Sequence, residues 1–262
     1  MKQLDQMHTC EEIGKDTWRI DEGGAVNLYL LAGQEKALLI DAGCGAGYLP
    51  TCVKVLTDLP VRVAVTHRHP DHIGGAWEFG SYDASEQDCS FVYSFLSMAV
   101  MSHIMVKASG GKVEYPKPFG KHVKINRMKE DQVFDLGGRT VTVRSVPGHT
   151  RGSVIFLDEA NRLMFTGDDI NPCLWMQLPG CTSLQEWKTG ANTIMDLMKQ
   201  GNYTAWYGHG DGRQTLEQME TTYHLVEEII EKKKAGTLAK GKHLYPVKDQ
   251  FPNVYYNSKN IL

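Results

Sequence analysis

The sequence is short of what a disulfide scaffold, a nucleic-acid binder or a disordered chain requires. Its six cysteines, Cys10, Cys44, Cys52, Cys89, Cys173 and Cys181, are spread over 262 residues and never form CxxC, which favours reduced thiols packed as small apolar groups over a disulfide framework. An excess of positive charge is also missing. Against 28 Lys and Arg stand 31 Asp and Glu, a net −3, so the broad basic surface used to bind phosphate backbones is absent and nucleic acid is not an expected partner. The opening MKQLDQMHTCEEIGKD lacks the apolar core of a secretory signal, which makes the cytoplasm the expected location. No GxSxG supplies a serine nucleophile. Neither a linker nor a short-period repeat divides the chain, so residues 1–262 read as one domain.

What is present suits a globular α/β chain. Hydrophobic residues make up 42% and charged residues 23%, enough apolar surface for a sizeable core. Strand-like runs at Thr17–Ile20, Val26–Leu31 and Ala37–Ile40 are separated by glycine turns. A short helix after Pro50 and a strand at Val61–Val65 follow. Further strand-like runs lie near Val123 and Val133 and at Val141–Val146, Val154–Leu157 and Leu163–Phe165. Ser183-Leu-Gln-Glu186 and Thr215-Leu-Glu-Gln218 read as capping boxes opening two amphipathic helices, the second stopping near Gly236. Strands then a helix, twice over, suggests two similar α/β layers packed together.

The strongest local signal is His67-x-His69-x-Asp71-His72, which sits after an apolar strand and before Gly74-Gly75. In extended backbone, residues two apart face the same way, so His67 and His69 can converge on one ion. Pro70 favours that geometry at His69. A turn at Asp71-His72 then presents a second pair. Three later strand ends each carry one more ligand-type residue: His149 in Pro-Gly-His-Thr, Asp168 in Thr-Gly-Asp and His209 in Tyr-Gly-His-Gly. Sites in α/β sheets gather at strand carboxyl ends, which lets such distant residues meet in one cleft.

HxHxDH, PGHTRGS, TGD and GH, in that order, with Asp41-Ala-Gly ahead of them, resemble the motifs of the metallo-β-lactamase superfamily over roughly Val26 to Gly210. The resemblance implies a four-layer αββα sandwich with a dinuclear metal site between two sheets. It would give one metal His67, His69 and His149, and the other Asp71, His72 and His209, bridged by Asp168. True β-lactamases of the fold usually carry Cys or Ser at the TGD aspartate. Asp168 therefore resembles the glyoxalase II, lactonase and RNA-processing branches instead, of which the net charge of −3 counters RNA processing, and antibiotic hydrolysis is disfavoured as the native task.

These observations predict a hydrolase with two divalent metal ions, zinc by preference over iron or manganese, acting on a small-molecule ester, thioester or lactone. Two cations sharing a carboxylate and a water bring that water's pKa from about 15.7 towards about 7. Asp71 is the expected catalytic residue, orienting the water or taking its proton. The alternatives are a mononuclear iron enzyme like the persulfide dioxygenases and a metal-bearing scaffold without turnover. Asp41 and Asp211 are expected either to brace the ligand loops or to cap them. Asp169 is expected to face away from Asp168 if its strand continues. Trp77, Phe79, Trp175, Met176 and Leu178 could line an apolar pocket, with core packing the commoner fate. His8, His103, His122, His224 and His243 have no ligand spacing and are expected to be surface or packed residues. Cys89–Val106 lacks Asp, Glu, Lys and Arg. Within an insertion at about 89–120, it is expected to form an apolar helix. A membrane span there would separate HxHxDH from PGHT, so the helix is assigned to the core, to a homodimer contact or to a cap for an apolar acyl group.

Overall fold

A computed structural model of the chain describes residues 1–90, 123–238, 240–245 and 253–262; nearly all of the Cys89–Val106 stretch lies outside them. The first sheet runs in chain order through β1 (Lys2–Gln3), β2 (His8–Gly14), β3 (Thr17–Glu22), β4 (Val26–Ala32), β5 (Ala37–Ile40), β6 (Val61–Ala64), β7 (Ser81–Ser85) and β8 (Lys124–Met128). It is antiparallel up to β5 and parallel from β5 to β8. The second sheet uses β9 (Val133–Asp135), β10 (Thr140–Ser145), β11 (Val154–Asp158), β12 (Leu163–Phe165), β14 (Thr204–Trp206) and β15 (Arg213–Gln214). A third, small sheet joins β13 (Cys173–Met176), β17 (Asn253–Asn257) and β16 (Lys242–Tyr245), an association the sequence reading did not anticipate.

The layers follow from the period-2 alternation of side chains along each strand. Tyr29, Leu31, Leu38 and Ile40 point from the first sheet towards Val154, Phe156, Leu163 and Phe165 of the second, forming the core between the sheets. The intervening Leu28, Leu30 and Leu39 face the other way, onto Leu49, Cys52 and Val53 of helix α1 (Leu49–Lys54). On the far side, Ile155, Leu157 and Met164 pack against α3 (Leu184–Gly201) and α4 (Leu216–Lys234) through Trp187, Ile194, Met219 and Val226. The result is the αββα sandwich expected above. A strand buried on both faces reads as a continuous apolar run, and β4, VNLYLLA, is buried throughout.

The caps differ in detail. Thr215 and Gln218 form a reciprocal capping box, whereas Ser183 accepts from the Glu186 N–H without the return bond, because the Glu186 side chain turns to Arg151, 3.7 Å away. Between α1 and α3 lies the single turn α2 (Pro70–Ile73). Among the described residues no helix is long and apolar enough to cross a membrane. All six cysteines are free.

One buried ion pair ties the sheets together away from the motif loops. Arg139, beside β10, meets Asp158 at the end of β11 and also donates to the Asp16 and Ala32 carbonyls, each at 2.9 Å, and to Thr17 Oγ1 at 2.6 Å. Removing the cation would leave a buried carboxylate without its counter-charge. We expect Arg139→Met to lower stability by about 3–5 kcal/mol, measured as the urea midpoint at unchanged m-value; a loss below about 1 kcal/mol would show that the pair is not a clamp.

Candidate metal centre

Parallel alignment collects the motif residues at one edge. Strands β5 and β6 run together in the first sheet, as do β10, β12 and β14 in the second. Their carboxyl ends carry Asp41, the HxHxDH segment, His149, Asp168 and His209. His69 is extended at φ −64°, ψ 151°, directly before Pro70 at the first position of α2, and that turn displays Asp71 and His72. Glycines let the loops close together. A Cβ at Gly74 would lie 2.3 Å from the Cys44 carbonyl carbon, and one at Gly208 would lie 2.5 Å from Asp168 Oδ1.

All seven expected site residues meet here, as two groups. His67, His69 and His149 form one; Asp71, His72, Asp168 and His209 form the other, and within each group the ligand-type atoms lie within 4.8 Å of one another. In the first group, His69 Nδ1 is 3.1 Å from His67 Nε2 and 2.7 Å from His149 Nε2. In the second, Asp168 lies 3.0 Å from His209 Nε2 and 3.5 Å from His72 Nε2. The same carboxylate is 3.6 Å from His149 Nε2, so Asp168 stands between the groups.

Each histidine has its outer nitrogen beside an acceptor, which in the neutral ring fixes the tautomer and leaves the inner nitrogen as a lone pair. His149 Nδ1–H donates to the Trp175 carbonyl at 2.8 Å and His209 Nδ1–H to the Ala25 carbonyl at 2.7 Å. His72 Nδ1–H donates to Asp41 at 2.8 Å. His67 Nδ1–H donates to Thr66 Oγ1 at 3.0 Å, and that hydroxyl donates onward to Asp41 at 2.9 Å. His69 has a long 3.5 Å contact from Nε2 to the Pro179 carbonyl.

Burial drives His67 and His69 below the usual histidine range and His149 down to about 4. It also opposes charge on His72 and His209, but the carboxylates around them, Asp168 first, outweigh it. His72 is held well above its usual value and His209 is raised to about 9. Burial would raise Asp168, yet His209 and His72 hold it well below the carboxylate range. The centre is thus a neutral imidazole trio beside an ionised carboxylate. Buried His72 Nε2 and Asp168 Oδ1 have no hydrogen-bond partner, and the trio's inner nitrogens face one another lone pair to lone pair. Cations satisfy both features at once, so these residues fit a pair of metal ions.

Several supporting residues escaped the sequence reading. Thr66 relays between Asp41 and His67. Asp41 itself occupies the left-handed region at φ 62°, a strained backbone held by the bonds its carboxylate accepts from Thr66 N–H, Thr66 Oγ1 and His72. Glu22 is buried beneath the same loop, accepting from the Cys44 and Ala46 N–H groups, each at 2.6 Å, and burial pushes its carboxyl up to about 8. β12 ends at Phe165, so Asp169 is not on a continuing strand; its carboxylate accepts the His149 N–H at 2.8 Å. Asp211 braces its loop through the Tyr207 hydroxyl at 2.7 Å. Of the five apolar candidates, Trp175 and Leu178 line a cavity of 270 Å³ with His69, Asp71 and Asp168. Trp77 is buried, while Met176 and Phe79 pack into the two helix-facing cores.

Residues 21–181 match the metallo-beta-lactamase superfamily. The chain belongs to that superfamily. It is 25% identical over 199 residues to the acyl-coenzyme A thioesterase MBLAC2 of Gallus gallus, covering 69% of this chain and 70% of that protein. The same enzyme of Homo sapiens is 26% identical over 171 residues, with 56% and 59% covered. The atrochrysone carboxyl ACP thioesterase of Emericella nidulans is 24% identical over 218 residues, with 80% and 61% covered. The chain therefore spans only about six tenths of the latter two. Among solved structures, a metallo-beta-lactamase from Pontibacter korlensis superposes with a TM-score of 0.60 at 20% identity over 84% of this chain and 99% of that one. TTHA1623 in a di-iron-bound form gives 0.54 at 21% identity, with 75% and 92% covered. At these identities, the structural likeness speaks for the fold alone.

Proposed function

We propose that this chain is a dinuclear metal-dependent hydrolase of acyl thioesters. The observation that carries the reading is the Asp168 carboxylate, set between an all-histidine group and an Asp/His group. His67, His69 and His149 would hold one ion, and Asp71, His72 and His209 the other, with Asp168 shared between them. Imidazole and carboxylate donors suit zinc, and they admit iron or manganese. Bound there, such ions bring a water's pKa to about 7 and polarise a carbonyl. The persulfide dioxygenases share these histidines and use one iron, so metal content separates the two readings.

The chain's own residues supply position and proton handling. Asp71, about one quarter exposed, faces the 270 Å³ cavity and is the group placed to orient an attacking water and take its proton. Beyond His209 lies a second cavity of 510 Å³, lined by Pro172, Cys173, Tyr207 and Gln218 among others. Trp175 lines the smaller cavity, and its ring stacks at 6.3 Å and 26° on that of His209, which lines the larger one. Cavities of this size accept an acyl chain or a thiol arm, and all three relatives above are named as acyl-coenzyme A or ACP thioesterases.

The deciding experiment is metal analysis of the purified chain alongside a panel of acyl-coenzyme A, lactone, phosphodiester and β-lactam substrates, with oxygen uptake followed on a persulfide. We expect about two metal ions per chain and thioester turnover. One iron with oxygen consumption would replace this reading with the dioxygenase. Trp175→Ala removes an exposed aromatic wall and leaves the donor set intact. It should raise KM for long acyl thioesters about tenfold, with kcat within about twofold; equal loss across short and long acyl chains would remove Trp175 from substrate binding.

A further inference from the structure

Outside the two groups of the metal centre, the turn between β1 and β2 brings a third set of donor atoms together. Asp5 lies on that turn, His8 opens β2, and Cys52 reaches them from α1, 44 residues beyond His8. Cys52 Sγ is 3.0 Å from Asp5 Oδ2 and 3.5 Å from His8 Nδ1, and His8 Nδ1 is 3.0 Å from both Asp5 oxygens. His8 and Cys52 are each 1% exposed. Asp5 Oδ1 accepts the Met7 and His8 N–H groups, each at 2.7 Å, which aims Oδ2 at the thiol. We propose that Asp5, His8 and Cys52 form a third metal site, structural in role, that takes a borderline cation such as zinc.

The spacing fits that chemistry. Tetrahedral zinc with bonds of about 2.3 Å to sulfur and about 2.0–2.1 Å to nitrogen and oxygen places its donors about 3.3–3.6 Å apart, and the triangle here has edges of 3.0 to 3.5 Å. Asp5 is about one third exposed, which gives a path from solvent and room for a water as the fourth ligand. Gly47 lines the other side, where a Cβ would approach Asp5 Oδ2 to 3.0 Å. The surroundings are anionic. Burial first, and then Asp5, Glu78 and Glu22, push the Cys52 thiol up, so a thiolate forms there only with a cation. Loading the site releases the thiol proton, which makes affinity fall as pH falls. An ion held there would fasten the β1–β2 turn to α1, just below the loop that carries Asp41.

Cobalt separates this site from the first two. The proposed dinuclear centre offers only nitrogen and oxygen, so a thiolate-to-cobalt charge-transfer band in the near ultraviolet must come from a cysteine. The full chain, stripped with chelator and titrated with Co²⁺, should take up three equivalents and develop that band. Cys52→Ser should abolish the band and lower uptake to two equivalents, with thioester turnover within about twofold. Cys44→Ser, in the neighbouring loop, should keep both the band and the third equivalent. Wild-type chain that saturates at two equivalents without a thiolate band would overturn the proposal, as would a band that survives Cys52→Ser. A chain that shows the band and the third equivalent but hydrolyses no thioester would leave this site standing and remove the thioesterase reading instead.

Discussion

Replacing Asp168 by Ala should lower metal content and hydrolysis together, with turnover reduced by more than about 10²-fold, since losing even an outer partner of a metal ligand costs about 10–100-fold. Asp168 is the carboxylate that stands between the groups, with His149 at 3.6 Å on one side and His209 and His72 at 3.0 and 3.5 Å on the other. It also carries the negative charge that, ahead of the other carboxylates, keeps His72 and His209 above their usual range. Without it, Asp41 remains beside His72 alone, and the carboxylate left near both rings is Asp71, which is more exposed. The fold has less to lose, because Asp168 belongs to none of the three hydrophobic clusters. Near-ultraviolet circular dichroism should therefore be retained while metal per chain falls. A variant that kept two ions and full turnover would end the bridging assignment.

The site was legible in sequence where its chemistry is local. Three histidines and an aspartate within six residues cannot be mistaken for packing, and the single ligand residues at three later strand ends gain meaning because parallel strands deliver their ends to one edge. The central strands were legible for a related reason: Ala37–Ile40 and Leu163–Phe165 are short apolar runs bounded by turn residues, and the structure keeps those bounds. What escaped depends on distance or on backbone strain. Nothing in Cys173–Met176 announces a parallel pairing with Asn253–Asn257, eighty positions away. Thr66 and Asp169 act through one hydrogen bond each to a histidine or its backbone, and their residue types are common in any loop. His8 was expected to be a surface or packed residue, and it is buried; its approach to Cys52 comes from tertiary folding that no spacing encodes.

Asp71→Asn should separate proton handling from metal binding within the same cluster. The side chain sits in the first turn of α2, with Oδ2 3.6 Å from His209 Nε2 and 3.7 Å from His72 Nε2, and it lines the 270 Å³ cavity in which a substrate carbonyl would be attacked. Asp168 is almost wholly buried, whereas Asp71 keeps about a quarter of its surface open, so it is the carboxylate a reacting water can reach. Asparagine preserves the volume and one carbonyl oxygen for a metal, but it cannot accept a proton at neutral pH. With the remaining donors in place, metal content should stay near two ions per chain. KM should change by no more than about threefold while kcat falls about 10²- to 10⁴-fold, the range for loss of a general base. Unchanged kcat at full occupancy would remove Asp71 from proton transfer. A kcat that falls only in step with metal content, and is restored by excess zinc, would reduce Asp71 to a ligand and pass the proton to another group.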